Sequence, residues 1–219
     1  MSAELERALE EIVRETTETA SRNEWLKIQE KTKSALYNYR YDHVKQVVAI
    51  SKRMAEELNA NMEVVTLAAW LHDAAKPGMG GVQKHGKASA RTARKELLSR
   101  GINEETVEQV CDTIEKHIGL TLEKSVQPLE AKILWDADKI AKLGMIGLLH
   151  FLVNGIKMRP GVYLEEVAES LSEFLPLAEE IVKSMNTDLG RKLATRRLET
   201  LRLASTVLDA ELELQDFEP

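Results

Sequence analysis

Three histidines of this 219-residue chain fall on the apolar faces of three different helical segments, and that limits the fold more than any other feature. His43 shares a face with Val47, Ile50, Met54 and Leu58. His72 shares one with Val65, Ala68 and Ala69. His117 follows Thr113 and Ile114 by one turn and Val110 by two. Apolar faces are buried when helices pack, so the chain must carry three imidazoles inward, and an unpartnered buried imidazole is costly. Setting them around a shared metal centre resolves all three at once.

The carboxylates point the same way. His72 is followed directly by Asp73, at the end of an apolar helical run and before a loop rich in glycine. Neighbouring side chains at a helix end diverge, yet both serve a metal pair if Asp73 bridges two ions and His72 binds one. His85 follows the loop, and Ile133–Lys139 offers Asp136 and Asp138. At about 100° per residue the apolar stripe of this helix runs through Ile133, Leu134, Ala137, Ala141, Gly144, Met145 and Leu148. Asp138 lies at its edge and is the inward acid; Asp136 lies farther round and reads as a contact behind the site or at the surface. His150 falls on the far side of the same helix from Asp138 and reads as structural. Mixed imidazole and carboxylate ligands suit iron, manganese, nickel, cobalt or zinc.

Alanine, leucine, glutamate and lysine dominate, and sustained apolar/polar alternation is missing, so the fold class is all-α. Helices are expected over about 3–20, 23–36 (capped by Asn23), 42–59 (capped by Asp42), 62–74, 87–100, 103–117, 129–156, 163–184 and 188–215. The net charge of −6 argues against general nucleic-acid binding. A single cysteine, Cys111, excludes an internal disulfide and reads as a small buried residue. No apolar run is long enough for a membrane span and the N-terminus is no signal peptide, so a cytoplasmic location is expected. Leu5, Leu9 and Ile12 share a face of the first helix; packing on the chain's own core is the reading preferred over a homodimer contact.

The order His43, His72-Asp73, Asp138 resembles the HD-domain superfamily of metal-dependent phosphohydrolases. His85 in His-Gly-x-x-Ser-Ala and His117 in Ile-Glu-Lys-His resemble the two further histidines of its binuclear members. The stretch from Thr187 to Arg197 is similar to the closing helix of small prokaryotic HD hydrolases. The resemblance implies a single-domain helical bundle over 1–219, with a core at about 40–156 and helices from 1–36 and 160–215 packed on it. It implies one ion held by His43, His72, Asp73 and Asp138, and a second held by Asp73, His85 and His117. The Gly-Tyr-Pro signature of cyclic-dinucleotide phosphodiesterases is missing. Ala74, Ala75, Lys76 and Pro77 stand where small nucleotidases carry acids, so the substrate class stays open.

The implied chemistry is hydrolysis of a small phosphate ester or nucleotide by a metal-activated water. Asp73 and Lys76 are the catalytic candidates, Lys76 as the cation that offsets phosphoryl charge. Arg159 is a weaker candidate for that role. Two alternatives use the same residues differently: a mixed-valent di-iron oxygenase of the same superfamily, and a non-catalytic helical module that binds a nucleotide or a partner.

Overall fold

The computed structural model describes residues 2–26, 37–75, 85–158 and 162–217. Within them lie nine α-helices and a closing 3-10 turn at Gln215–Phe217. The helices are α1 (Ala3–Leu26), α2 (Tyr39–Leu58), α3 (Met62–Leu71), α4 (His85–Ser99), α5 (Glu104–Glu115), α6 (Leu129–Ile140), α7 (Gly144–Met158), α8 (Leu164–Lys183) and α9 (Asp188–Leu212). No strand occurs among the described residues, as the composition predicts.

The short helix α3 organises the rest. Asn61 starts it by accepting from the backbone N–H groups of Glu63 and Val64. Every residue from Val64 to Leu71 is buried. A helix apolar on all sides must be surrounded, and α3 packs against α1, α2, α4, α5 and α6. Its C-terminal end therefore opens inside the bundle. Leu9, Val47, Leu67, Leu71, Val110, Ile114, Leu134 and Leu201 all belong to the core around it. Cys111 is buried there, its thiol facing the Ala90 carbonyl.

The N-terminal helix departs from the expected pattern. α1 runs unbroken through Asn23 to Leu26 instead of stopping near residue 20. Tertiary contacts carry it on: Ser21 Oγ and Trp25 Nε1 both donate to the Tyr37 carbonyl, at 2.9 and 3.0 Å. The rest of the expected second helix, residues 27–36, lies outside the described residues. α2 starts four residues earlier than predicted, because Asn38 rather than Asp42 caps it by accepting from the Tyr41 N–H.

The largest departure falls between residues 129 and 156, where one long helix was expected. The chain makes two, because α6 ends at Ile140 and α7 begins at Gly144. Gly144 has φ of +72°, and a Cβ there would stand 3.0 Å from Arg197 Cγ. Glycine suits both the left-handed backbone and the close crossing of α9. Arg197 in turn donates from Nη1 to the Ile140 carbonyl at 2.8 Å, satisfying one of the free carbonyls at the end of α6.

Asp136 is fully buried, so the surface alternative for it is excluded. It accepts four hydrogen bonds: from Asn186 N (2.8 Å) and Nδ2 (3.1 Å), and from Thr187 N (2.9 Å) and Oγ1 (2.7 Å). Its role is to hold the turn between α8 and α9 against α6. Gly190 permits the approach, since a Cβ there would meet Asp136 Oδ2 at 2.3 Å. Burial raises the Asp136 carboxyl above its usual range, and these four donors work against that shift. Among the described residues no helix is long and apolar enough to cross a membrane.

Candidate metal centre

His72 caps the C-terminal end of α3 and Asp73 stands in the turn just beyond it. Because α3 ends inside the bundle, both side chains open into the interior. The turn is tied to α4 by the Ala75 N–H, which donates to the buried Ser89 hydroxyl at 3.2 Å. α4 itself begins with His85, two residues earlier than the sequence suggests. His117 is not the last residue of a helix, as expected, but sits one residue past the Lys116 cap of α5. His43 comes from α2 and Asp138 from α6.

The six residues converge. His43, His72 and Asp73 place one ligating atom each within 4.8 Å of one another, and so do Asp73, His85 and His117. Asp73 is common to both groups, and its two oxygens are divided between them. Oδ2 lies 3.7 Å from His72 Nε2, while Oδ1 lies 3.3 Å from His85 Nε2 and 3.5 Å from His117 Nε2. The imidazole rings of His43, His72, His117 and His85 form a chain with centroids 5.8, 5.1 and 5.2 Å apart. Asp138 joins at the His43 end, its Oδ1 2.9 Å from His43 Nε2.

The hydrogen bonds fix the tautomers of two histidines. His72 Nδ1 faces the Ala69 carbonyl at 2.7 Å, and His117 Nδ1 faces the Ile114 carbonyl. A carbonyl oxygen only accepts, so each Nδ1 carries the proton and each Nε2 presents a lone pair to the interior. His72 Nε2 is buried and has no hydrogen-bond partner among the described residues. His85 Nε2 lies 3.2 Å from His117 Nε2 and is the donor to it. A cluster of buried lone pairs and carboxylate oxygens fits a divalent cation, whose binding gives the orphaned Nε2 a partner.

Burial and charge act unevenly across the cluster. Burial pulls His43 down to about 4, helped by the nearby Lys142 ammonium, and pulls His72 down to about 3. Burial alone would raise Asp138, but Lys139, Lys142 and His43 outweigh it and hold this carboxyl well below its ordinary range. Lys139 is 1% exposed and sits over the Trp135 ring, with Nζ 4.9 Å from its centroid. Its ammonium pairs with Asp138 and donates to the His117 carbonyl at 2.7 Å. Lys142, half-buried, pairs with Asp138 from one turn further along. Neither lysine belongs to a motif, although Lys142 stands four residues after Asp138 and so on the same helical face. Lys76 and Arg159, the cations expected from sequence, lie outside the described residues.

A cleft of about 160 Å³ opens beside His43 and Lys142. Tyr39, His150, Phe151, Asn154 and Phe174 form its walls. His150 therefore faces the cleft rather than a distant side of a continuous helix, and its ring meets Tyr39 edge-on at 5.1 Å. The error follows from the break at Gly144, which turns α7 relative to α6.

The HD-domain family model matches residues 40–143, a span that contains all six converging residues. No match is found among curated protein sequences. Several solved structures are similar over most of the chain. An HD-superfamily hydrolase from Bacillus thuringiensis is 18% identical with a TM-score of 0.67, covering 96% of this chain and 97% of its own. A Lactobacillus plantarum protein is 16% identical with a TM-score of 0.67, covering 98% and 99%. Bacillus subtilis YpgQ, solved in complex with ADP, is 21% identical with a TM-score of 0.61, covering 78% and 88%. At these identities the likeness establishes a shared fold.

Proposed function

We propose, from the premise that this chain is an HD-domain protein, that it is a metal-dependent phosphohydrolase acting on a small phosphate ester or nucleotide. The observation that carries this reading is the division of the Asp73 carboxylate, one oxygen toward His72 and the other toward His85 and His117. One ion would be held by His43, His72, Asp73 and Asp138, and a second by Asp73, His85 and His117. A metal pair in such a site polarises a phosphoryl oxygen and lowers the pKa of a coordinated water toward neutrality.

The chain's own residues supply the rest. Asp73 spans the two halves. The backbone carbonyls of Ala69 and Ile114 hold His72 and His117 in the tautomer that ligates through Nε2. Lys142, at the border of the site and the cleft, is placed to face phosphate oxygens once Asp138 turns to a metal. The aromatic walls of the cleft suit the organic part of a substrate, and a nucleotide base is one such group. The ADP bound by the similar YpgQ supports the nucleotide form of this proposal.

The test is hydrolysis of a panel of phosphomonoesters, nucleotides and cyclic nucleotides with manganese, cobalt, nickel or iron supplied. Phosphate or pyrophosphate release that depends on the metal and vanishes in Asp73→Ala is the expected result. Complete inactivity of metal-loaded protein across the panel rejects the proposal. Oxygen uptake with a polyol or phosphonate would assign the site to oxygenation instead.

A further inference from the structure

The cleft beside His43 holds two polar side chains that the metal centre does not use. His150 and Asn154 stand one turn apart on α7, and both line the cleft. His150 is only 7% exposed, and Asn154 is half-buried. Neither has a hydrogen-bond partner among the described residues. A buried polar group without a partner is costly, and one kept so at the wall of a cleft points to a partner that arrives with a ligand. Packing holds the imidazole still: its ring meets Tyr39 edge-on at 5.1 Å and lies 6.1 Å from the tilted ring of Tyr37.

We propose that His150 and Asn154 read the base of a nucleotide and so set which substrates this chain accepts. The proposal rests on the phosphohydrolase reading above for the position of the phosphates, at the metals and Lys142. Position supports it. Tyr39 stacks on the His43 ring at 6.0 Å and carries His150 on its edge, so His150 is one ring removed from the metal centre. The part of a substrate beyond its phosphates would lie there. Charge supports it too. Burial pulls the His150 imidazole below its ordinary value, against the pull of the Asp42 carboxylate. At neutral pH the ring is uncharged, so it offers one donor and one acceptor rather than a cation for phosphate. The Asn154 amide likewise donates and accepts. A nucleobase edge presents donors and acceptors side by side, and its flat faces stack on aromatic rings. Phe151 and Phe174, near-parallel with centroids 6.3 Å apart, supply such rings in the cleft wall. A phosphate ester without a base leaves both polar groups and these rings unused.

The test compares kcat/KM of the metal-loaded chain for nucleotides with that for the same ribose phosphates lacking the base. A preferred nucleotide should exceed its base-free counterpart by about 100-fold or more. His150→Phe keeps a ring against Tyr37 and Tyr39 but removes both nitrogens. It should lower that ratio by about tenfold, through KM more than kcat, with metal content unchanged. Asn154→Asp, which accepts but no longer donates, should change the order of preference among bases. A wild-type ratio near one overturns the proposal while leaving hydrolysis in place, as does a ratio that neither variant alters. If the metal-loaded chain hydrolyses no phosphate ester, the phosphohydrolase reading fails and calorimetry with nucleosides decides the base site by itself. Binding that His150→Phe abolishes then upholds the base site, and no binding at about 1 mM nucleoside overturns it.

Discussion

The two halves of the metal centre are built alike in one respect and oppositely in another. Each contains one histidine whose Nδ1 is committed to a backbone carbonyl three residues back, His72 to Ala69 and His117 to Ile114. Each contains a second histidine held through Nε2 by a neighbour, His43 by Asp138 and His85 by His117. The difference is charge. The His43 half holds Asp138 with Lys139 and Lys142 against it, so its carboxylate is compensated before any cation arrives. Among the described residues the His85 half has its share of Asp73 and two imidazoles. A cation entering the first half must displace lysine ammonium groups, whereas one entering the second meets the Asp73 oxygen between two rings. The first half is thus the more tightly organised without metal, and the second depends more on metal for its order.

The sharpest way to break the comparison is to remove what the halves share. Asp73→Ala should lose both ions, and activity should fall by about 10⁴-fold or more once water is no longer activated. His85→Ala and His117→Ala should each lose only the second ion. Elemental analysis of purified variants reads this directly. Full metal content in Asp73→Ala would reject the whole site, and one retained ion would show that the halves do not share a carboxylate.

Acid tests the burial of the His43 half next most strongly, in metal-free protein. His43 and His72 remain neutral in the folded chain down to about 4 and about 3, against an ordinary value of 6.5. The unfolded chain therefore takes up protons below pH 6.5 that the folded chain refuses. Stability is fully present above 6.5 and is lost as pH falls, by on the order of 2 kcal/mol for each imidazole by about pH 4.5. Melting of chelator-treated protein should drop steeply over this window, and His72→Asn should flatten the drop. A wild-type melting curve that does not move between these pH values would contradict the burial argument.

What the sequence made legible follows the reach of local pattern. His43, His72 and His117 each sit on an apolar face of their own helical segment, so their convergence could be read without knowing the packing. Asp138 was separable from Asp136 by angle around one helix. The misreadings all depend on distant residues. The break at Gly144 hides inside an apolar stripe that continues across it, and only Arg197, from α9, shows why the chain turns there. Asp136 looked marginal because its four donors lie at residues 186 and 187. Lys139 belongs to no motif, and its role shows only where its ammonium stands between Asp138 and the His117 carbonyl.

Asp136 and Asp138, two residues apart, should separate fold from site. Asp136→Ala leaves buried donors of Asn186 and Thr187 without an acceptor, which should cost about 3 kcal/mol. Chemical denaturation reads the loss, while the surviving folded fraction should still bind two ions. Asp138→Ala should instead lose the first ion. If Asp136→Ala lost metal before it lost stability, the turn before α9 would belong to the site.

The smallest expected effect concerns Lys139, whose ammonium touches Asp138 in one half and the His117 carbonyl in the other. Two forces oppose each other in Lys139→Met. Removing an ammonium beside Asp138 removes a competitor for the incoming cation and favours binding in the first half. Removing the donor to the His117 carbonyl loosens the turn that aims His117 and disfavours binding in the second. Lys142 and His43 still engage Asp138 in the variant, so the electrostatic relief is partial, while nothing among the described hydrogen bonds replaces the one to His117. Metal affinity of the second half should therefore fall by about 10–100-fold, the usual cost of losing a residue that orients a ligand. The first half should change less. Titration with a metal whose two binding steps are resolved would measure both. If the first step tightened and the second stayed in place, Lys139 would be a counter-ion to Asp138 alone and the two halves would be mechanically independent.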